Sequence, residues 1–263
     1  MYPTISVPFL GVSISTHALM ILLAAFLCYT IGGAWIARKL EVQAMRIRHV
    51  LLIMAAGAIV GGRLNFFLNL WTSPSGTDLT RMGFHAPGAV LGLAVALPFA
   101  VRHARVSPGA FADVVSPVIL VGIALSRIGC FLRGCCFGSI CAVAWCVRFP
   151  PGSHAYRYHE VRDLLAPGAS SSLPVYPLQL FFAAAALMIG ALSLWLGCRK
   201  LRDGKLALIA VVLWAGSSAA LEFTRAEAFP RAYWGPLPQL AWLHAMIGLA
   251  AVALLRWRDR IAR

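Results

Sequence analysis

The chain has 263 residues, of which 60% are hydrophobic and 12% are charged, and its mean hydropathy is +0.79. This composition excludes an ordinary soluble domain, which needs more polar surface at this length. The net charge of +14 would suit a nucleic-acid binder, but the basic residues lie in short clusters beside apolar stretches. That pattern is typical of membrane topology signals. We therefore expect an all-α integral membrane protein that binds membrane lipid and no nucleic acid.

Apolar stretches close to the length that a helix needs to cross a bilayer recur along the chain. The predicted spans lie at about 14–37, 50–70, 86–101, 114–132, 175–197, 205–224 and 238–255. No repeat or linker is evident, so we expect a single transmembrane domain over 1–263. Residues 139–174 are too polar to span the membrane and too many for a simple connection, which is typical of a lid or binding element.

Basic residues mark one side of the predicted bundle, since their clusters follow the first, third, fifth and seventh spans. They are Arg38, Lys39, Arg46, Arg48, Arg102, Arg105, Arg199, Lys200, Arg202, Lys205, Arg256, Arg258, Arg260 and Arg263. The positive-inside rule then predicts seven transmembrane helices with the N-terminus outside and the C-terminus in the cytoplasm. The long loop at about 139–174 would accordingly be external.

Polar side chains enter the spans mainly at the predicted outer ends, where an ionisable group usually faces a partner or a cavity. They are Arg63, His85, Arg127, Arg133, Gln179, Glu222, Arg225, Gln239 and His244. Glu222 is the only acid inside a predicted span, so the arginines need another anion. A lipid phosphate fits, because guanidinium binds phosphate in a forked geometry. For Arg133 and Arg225, reaching out to the membrane interface is an equal alternative.

Five cysteines fall within the stretch that begins at the end of the fourth span. They are Cys130, Cys135, Cys136, Cys141 and Cys146. Their spacing contains no clean CxxC pair, so it favours no metal site. A disulfide on the oxidising outer side, or inert packing, is the first interpretation. A nucleophilic thiol activated by Arg127 or Arg133 is the second.

The stretch SRIGCFLRGCCFG, at 126–138, resembles the signature of the prolipoprotein diacylglyceryl transferases. The pieces GGRLNFF, GFHAPGAVLG, VYPLQLF, LEFTR and LPQLAWL resemble further elements of that family, in the same order. The resemblance implies a multi-pass enzyme of the bacterial inner membrane with its active site toward the outer face. It implies transfer of the diacylglyceryl group of phosphatidylglycerol to the lipobox cysteine of a prolipoprotein signal peptide, with release of glycerol phosphate. No cofactor is expected.

The resemblance also implies roles for individual residues. His85 matches the general base, and Arg127 matches the arginine that binds phosphatidylglycerol and stabilises the leaving phosphate. The remaining expected substrate-binding residues are Arg63, Gly138, Gln179, Glu222 and Arg225.

Several positions depart from the usual family pattern, which has other residue types there. They are His17, Pro87, Cys130, Cys135, Tyr176 and Ser218. Ser218 stands where the family has an arginine, so one phosphate contact is lost. These departures leave two alternatives open, a relative that acts on a different acceptor and a non-catalytic phospholipid-binding membrane protein.

Overall fold

The computed structural model describes residues 4–7, 12–72, 86–197, 204–225, 233–234 and 237–261. Most of the regular structure in these ranges is helical. The helices are α1 (Thr16–Leu27), α2 (Gly33–Leu40), α3 (Ala44–Thr72), α4 (Ala86–Ala104), α5 (Pro108–Arg133), α6 (His154–Val161), α7 (Leu178–Gly197), α8 (Lys205–Glu222) and α9 (Gln239–Ile261). A π-helical turn, Cys28–Gly32, joins α1 to α2. Two antiparallel strand pairs join β1 (Thr4–Val7) to β2 (Val12–Ser15) and β3 (Tyr233–Trp234) to β4 (Leu237–Pro238).

Five helical stretches in the described ranges are long and apolar enough to cross a membrane. They are Thr16–Leu40, Ala44–Leu64, Pro108–Arg133, Leu178–Gly197 and Lys205–Glu222. Two shorter apolar helices cover Gly88–Ala104 and Ala241–Trp257. The predicted all-α membrane protein is confirmed. The number of crossings and their orientation stay predictions.

The fourth predicted span begins earlier than hydropathy indicates, at Pro108 rather than at residue 114. The Ser107 hydroxyl accepts a hydrogen bond from the backbone N–H of Ala110 at 3.1 Å, as a helix N-cap does. Pro108 follows at the first helical position, where its missing N–H costs nothing. The capping chemistry therefore extends α5 beyond its apolar stretch.

The chain divides into two compact units, the first comprising Met1–Cys28 with Ser116–Arg263 and the second Tyr29–Val115. In the second unit, α3 and α4 cross with their backbones in contact. A Cβ on Gly57 would lie 2.6 Å from the Cβ of Ala96, and one on Gly61 would lie 2.9 Å from the Cα of Gly92. Small residues four apart on each helix permit this approach.

In the first unit, α5, α7 and α8 pack through small and branched apolar side chains. The buried cluster comprises Leu120, Ala124, Ala183, Ala186, Ile189 and Ala210. The alanines of α7 let α5 come close, and this packing sets the positions of the polar residues at the ends of the same helices.

The segment 134–176, which contains the predicted external loop at about 139–174, is folded. It has a small core of Phe137, Phe149, Ala155 and Val175, and it includes α6. A disulfide between Cys141 and Cys146 closes part of it, which was one of the interpretations that the sequence left open. Its external location and the single-domain organisation stay predictions.

Candidate active site at the end of helix α5

A tight turn after α5 builds the site. Gly134 has a φ of 73°, a left-handed conformation that glycine adopts without strain. The Gly134 N–H donates to the carbonyl oxygen of Phe131 at 3.1 Å, and the Cys135 N–H donates to that of Cys130 at 3.1 Å. These two bonds form a Schellman motif, which ends the helix and folds the chain back over its last turn.

Gln179, near the start of α7, holds this turn from the side. Its side chain is fully buried, and its Nε2 donates to the carbonyl oxygen of Cys135 at 2.6 Å. Its Oε1 accepts no hydrogen bond from the part of the chain that the structure describes. The predicted site residue Gln179 is therefore a support for the turn between α5 and the segment 134–176.

Gly138 joins the same turn to the ends of two more elements. Its N–H donates to the carbonyl oxygen of Tyr176 at 2.9 Å, and the Ser139 N–H donates to that of Thr224 at 2.8 Å. A Cβ on Gly138 would lie 2.7 Å from the Cβ of Tyr176 and 2.9 Å from the oxygen of Thr224. Only a glycine allows the chain to pass between these two partners.

Two arginines share one aromatic ring. The guanidinium carbon of Arg127 on α5 lies 4.5 Å from the ring centroid of Phe182 on α7, and that of Arg225 lies 5.8 Å from the same centroid. Phe182 is only 2% exposed. The π system of the ring attracts both cations. Two cations beside the same ring also repel each other. An anion between or beside them would therefore be stabilised.

Glu222 neutralises one of the two. Its Oε1 accepts a hydrogen bond from the Nη2 of Arg225 at 2.7 Å, and its Oε2 accepts one from the Nε at 2.9 Å. The two residues are three apart in sequence, so both bonds join neighbouring turns of the chain. Glu222 is 3% exposed. Arg127 is half-buried and pairs with no carboxylate in the described ranges. Its positive charge is thus available to an anionic ligand.

Three free thiols lie next to the arginines. The Sγ atoms of Cys130, Cys135 and Cys136 are all within 4.8 Å of one another. The thiols of Cys130 and Cys135 lower the pKa of Cys136 by hydrogen bonding, and the charges of Arg127 and Arg225 act in the same direction. Hydrogen bonds to the other two thiols and burial raise the pKa of Cys135. The cluster therefore concentrates anionic character on Cys136.

Five of the predicted site residues meet in the first unit. They are Arg127, Gly138, Gln179, Glu222 and Arg225. Arg63 is half-buried on α3 in the second unit, and its expected part in substrate binding stays a prediction. The predicted general base, His85, lies outside the described residues. Arg133, at the last residue of α5, is half-buried.

Two residues of the site were not predicted. Phe182 lies in an apolar stretch, where the sequence pattern predicts that an aromatic residue is part of the hydrophobic core. His17 on α1 lies against α5, because a Cβ on Gly129 would be 3.3 Å from its Cα, and its imidazole interacts electrostatically with Arg133, Cys136 and Arg127. The only signal for His17 was its position near a tyrosine of the family pattern.

Comparison with known proteins decides the family. The model of a family described as prolipoprotein diacylglyceryl transferase matches residues 4–257. The chain belongs to the prolipoprotein diacylglyceryl transferase family. The match includes α5, the turn after it and the ends of α7 and α8, so every described residue of the site lies within it.

Three curated relatives, each named a phosphatidylglycerol–prolipoprotein diacylglyceryl transferase, show how far family members diverge. The protein of Dehalococcoides mccartyi is 27% identical over 66% of this chain and 63% of its own length. A second transferase of Clostridium perfringens is 25% identical over 77% of this chain and 75% of its own length. The protein of Pseudomonas paraeruginosa is 27% identical over 88% and 86%. The first of these alignments thus spans less than two thirds of the relative.

Proposed function

We propose that this chain transfers the diacylglyceryl group of phosphatidylglycerol to the cysteine thiol of a prolipoprotein. The observation that carries the proposal is the half-buried Arg127, which faces Phe182 at the end of an apolar helix and pairs with no carboxylate in the described ranges. Its neighbour Arg225 is already neutralised by Glu222. Family membership and the names of the relatives supply the reaction.

In the proposed reaction the lipid phosphate binds the guanidinium of Arg127 through forked hydrogen bonds. The sulfur of the acceptor cysteine attacks the glyceryl carbon, a C–S bond forms, and the C–O bond to the phosphate breaks. Glycerol phosphate leaves with the electron pair of that bond. Arg127 stabilises the charge that develops on the leaving phosphate.

The thiol proton must go to a base. We assign this role to His85, because an imidazole titrates near neutral pH and because the resemblance of GFHAPGAVLG points to this position. Arg63 is assigned as a second phosphate contact. Gly138 and Gln179 are assigned as supports of the lipid site, since each bonds to a neighbouring element, and Glu222 is assigned as a support because it holds the guanidinium of Arg225.

We infer that the chain crosses a bacterial inner membrane seven times, with the N-terminus outside, the C-terminus in the cytoplasm and the site toward the outer face. The clusters of basic residues on one side support this orientation. The disulfide between Cys141 and Cys146 supports it as well, because disulfides persist on the oxidising side of the membrane. Signal peptides with a lipobox cysteine would reach the site from that face.

Complementation tests the proposal. The native transferase of a host bacterium is depleted, this chain is expressed, and the mass of a reporter lipoprotein is followed. We expect a gain of one diacylglyceryl group, which Arg127→Ala abolishes. Arg157→Ala, which changes an exposed arginine on α6, is the matched control and should leave the gain unchanged. Near-normal modification by a well-inserted Arg127→Ala chain would contradict the assignment.

A second candidate is transfer to an acceptor other than a prolipoprotein. Ser218 favours it, because the hydroxyl is buried and has no hydrogen-bond partner in the described ranges, at the position where the family pattern has an arginine. In this case the purified chain releases glycerol phosphate from phosphatidylglycerol in membranes while the reporter stays unmodified. A lipid binder without catalysis retains the lipid and releases nothing.

A further inference from the structure

We propose that Cys130, Cys135 and Cys136 form a binding site for one thiophilic metal ion, of the class of Zn²⁺ or Cu⁺. The three Sγ atoms lie within 4.8 Å of one another. Thiolates that share one zinc ion at about 2.3 Å lie roughly 3.8 Å apart. The sulfurs therefore need to move together by only about 1 Å to bind a single ion. The proposal does not depend on the proposed transfer reaction.

The fold holds these sulfurs together without a metal. Cys130 is on the last turns of α5, and the Schellman motif at Gly134 brings the next two cysteines back over it. Cys136 itself has a φ of 55°, a left-handed conformation that is uncommon for a residue with a side chain. Strain of this kind tends to be kept at sites with a function.

Neighbouring groups secure the geometry further. Gln179 holds the carbonyl oxygen of Cys135 at 2.6 Å, and the Cys135 Sγ donates to the carbonyl oxygen of Cys130 at 3.6 Å. The Gln179 amide also carries a buried Oε1 that accepts no hydrogen bond from the described ranges. Preorganised ligands bind a metal with less loss of entropy.

The chemistry of the donors selects the class of ion. Three sulfurs favour soft ions such as Cu⁺ and Zn²⁺ over Mg²⁺ and Ca²⁺, which prefer oxygen. Three thiolates around Zn²⁺ leave a net charge of about −1 by simple counting of ionic charges. Arg127, which pairs with no carboxylate in the described ranges, interacts electrostatically with Cys136 and compensates a negative complex. The other two cysteines of the segment are joined in a disulfide and do not compete.

Cobalt spectroscopy of the full chain tests the site. The protein is purified in detergent under reducing, oxygen-free conditions and titrated with Co²⁺. We expect one equivalent to bind, with sulfur-to-cobalt charge-transfer absorption in the near ultraviolet and strong bands in the visible. Added Zn²⁺ should remove both signals. Metal analysis of the protein as expressed, and competition with a Cu⁺ chelator, then distinguish zinc from copper.

Single substitutions assign the ligands. Cys135→Ser and Cys136→Ser should each weaken Co²⁺ binding by more than about 100-fold, since even changes to residues behind metal ligands cost 10–100-fold. Cys28→Ser is the matched control, because Cys28 is also a free thiol but lies in another part of the first unit, against the carbonyl oxygen of Val118. It should bind Co²⁺ as the unchanged chain does.

Three results would overturn the proposal. One is reduced, folded protein that shows no sulfur–cobalt absorption, a measurement that needs no variant. Another is unchanged binding by Cys135→Ser. The third is a disulfide among the three cysteines in protein isolated from membranes without reductant. None of these readouts requires transfer activity, so a chain that fails the reporter assay can still support the metal site, and the reverse also holds.

Discussion

The Nε2 of Gln179 donates to the carbonyl oxygen of Cys135 at 2.6 Å, across 44 residues of sequence. This bond ties α7 to the turn that ends α5, and its donor side chain is fully buried. The turn in turn carries Cys136 toward the two arginines. The amide of Gln179 is therefore a positioning group for the whole site.

Replacing Gln179 by Leu should reduce reporter modification at least several-fold and lower the stability of the chain. The partly buried carbonyl of Cys135 would lose its donor, which costs at most about 1–3 kcal/mol. Thermal unfolding in detergent and the reporter assay measure the two effects. Met188→Ala, on the exposed side of the same helix, is the control and should change neither. Full activity of Gln179→Leu would show that the turn needs no support from α7.

Gly138→Ala should destabilise the chain by about 1–3 kcal/mol, the usual cost of overpacking. The added Cβ would meet the Cβ of Tyr176 and the oxygen of Thr224 below 3.0 Å, and that oxygen cannot retreat without losing its bond to the Ser139 N–H. Gly216→Ala is the matched control, because nothing lies within 4 Å of its added Cβ on α8. Alanine there should stabilise the helix slightly. Equal melting temperatures for the two variants would refute this account.

The apolar helices could be predicted because hydropathy is a property of single stretches of sequence. The meeting of the three thiols could not. In a continuing helix, residues 130, 135 and 136 would point to different sides, because each residue turns the helix by about 100°. The left-handed turn at Gly134 ends the helix and brings Cys135 and Cys136 back to the side of Cys130. The cation–π contact of Phe182 with Arg127 could not be predicted either, because it depends on how α5 packs against α7.

The segment 134–176 shows a similar limit. Its core is made of residues with no regular period, such as Phe137, Phe149 and Val175. Periodicity detects helices and strands that bury one face, but it misses a core assembled from turns and bridges. Arg127, by contrast, could be predicted as a site residue. A cation within an apolar helix is energetically costly, and it therefore needs a partner.

Glu222→Gln should abolish or strongly reduce transfer. The change leaves Arg225 without its carboxylate, close to Arg127 and over the same ring, and breaking a buried ion pair from one side costs about 3–5 kcal/mol. The double variant Glu222→Gln with Arg225→Gln should recover part of the lost stability, because no unpaired charge remains. It should not recover activity. Thermal unfolding and the reporter assay together check both statements, and a double variant less stable than the single one would contradict them.

The segment 134–176 should lose stability as the pH falls below 6.5, and His159 is the first reason. Its side chain is 1% exposed and lies against the rings of Phe137 and Tyr158, and burial lowers its pKa from 6.5. Between the lowered pKa and 6.5 the unfolded chain therefore binds more protons than the folded one. The contribution of His159 to the stability of the folded segment is therefore complete above pH 6.5 and declines below that pH.

Limited proteolysis of the segment across this pH range measures the effect. Cleavage of the unchanged chain should accelerate as the pH is lowered, after correction for the protease's own pH profile. His159→Gln should flatten the dependence in part. A smaller part belongs to His154, an exposed residue whose pKa is lowered by partial burial and by the charge of Arg133. The variant with both histidines replaced should show little dependence, and a profile identical to that of the unchanged chain would rule out these two histidines as its source.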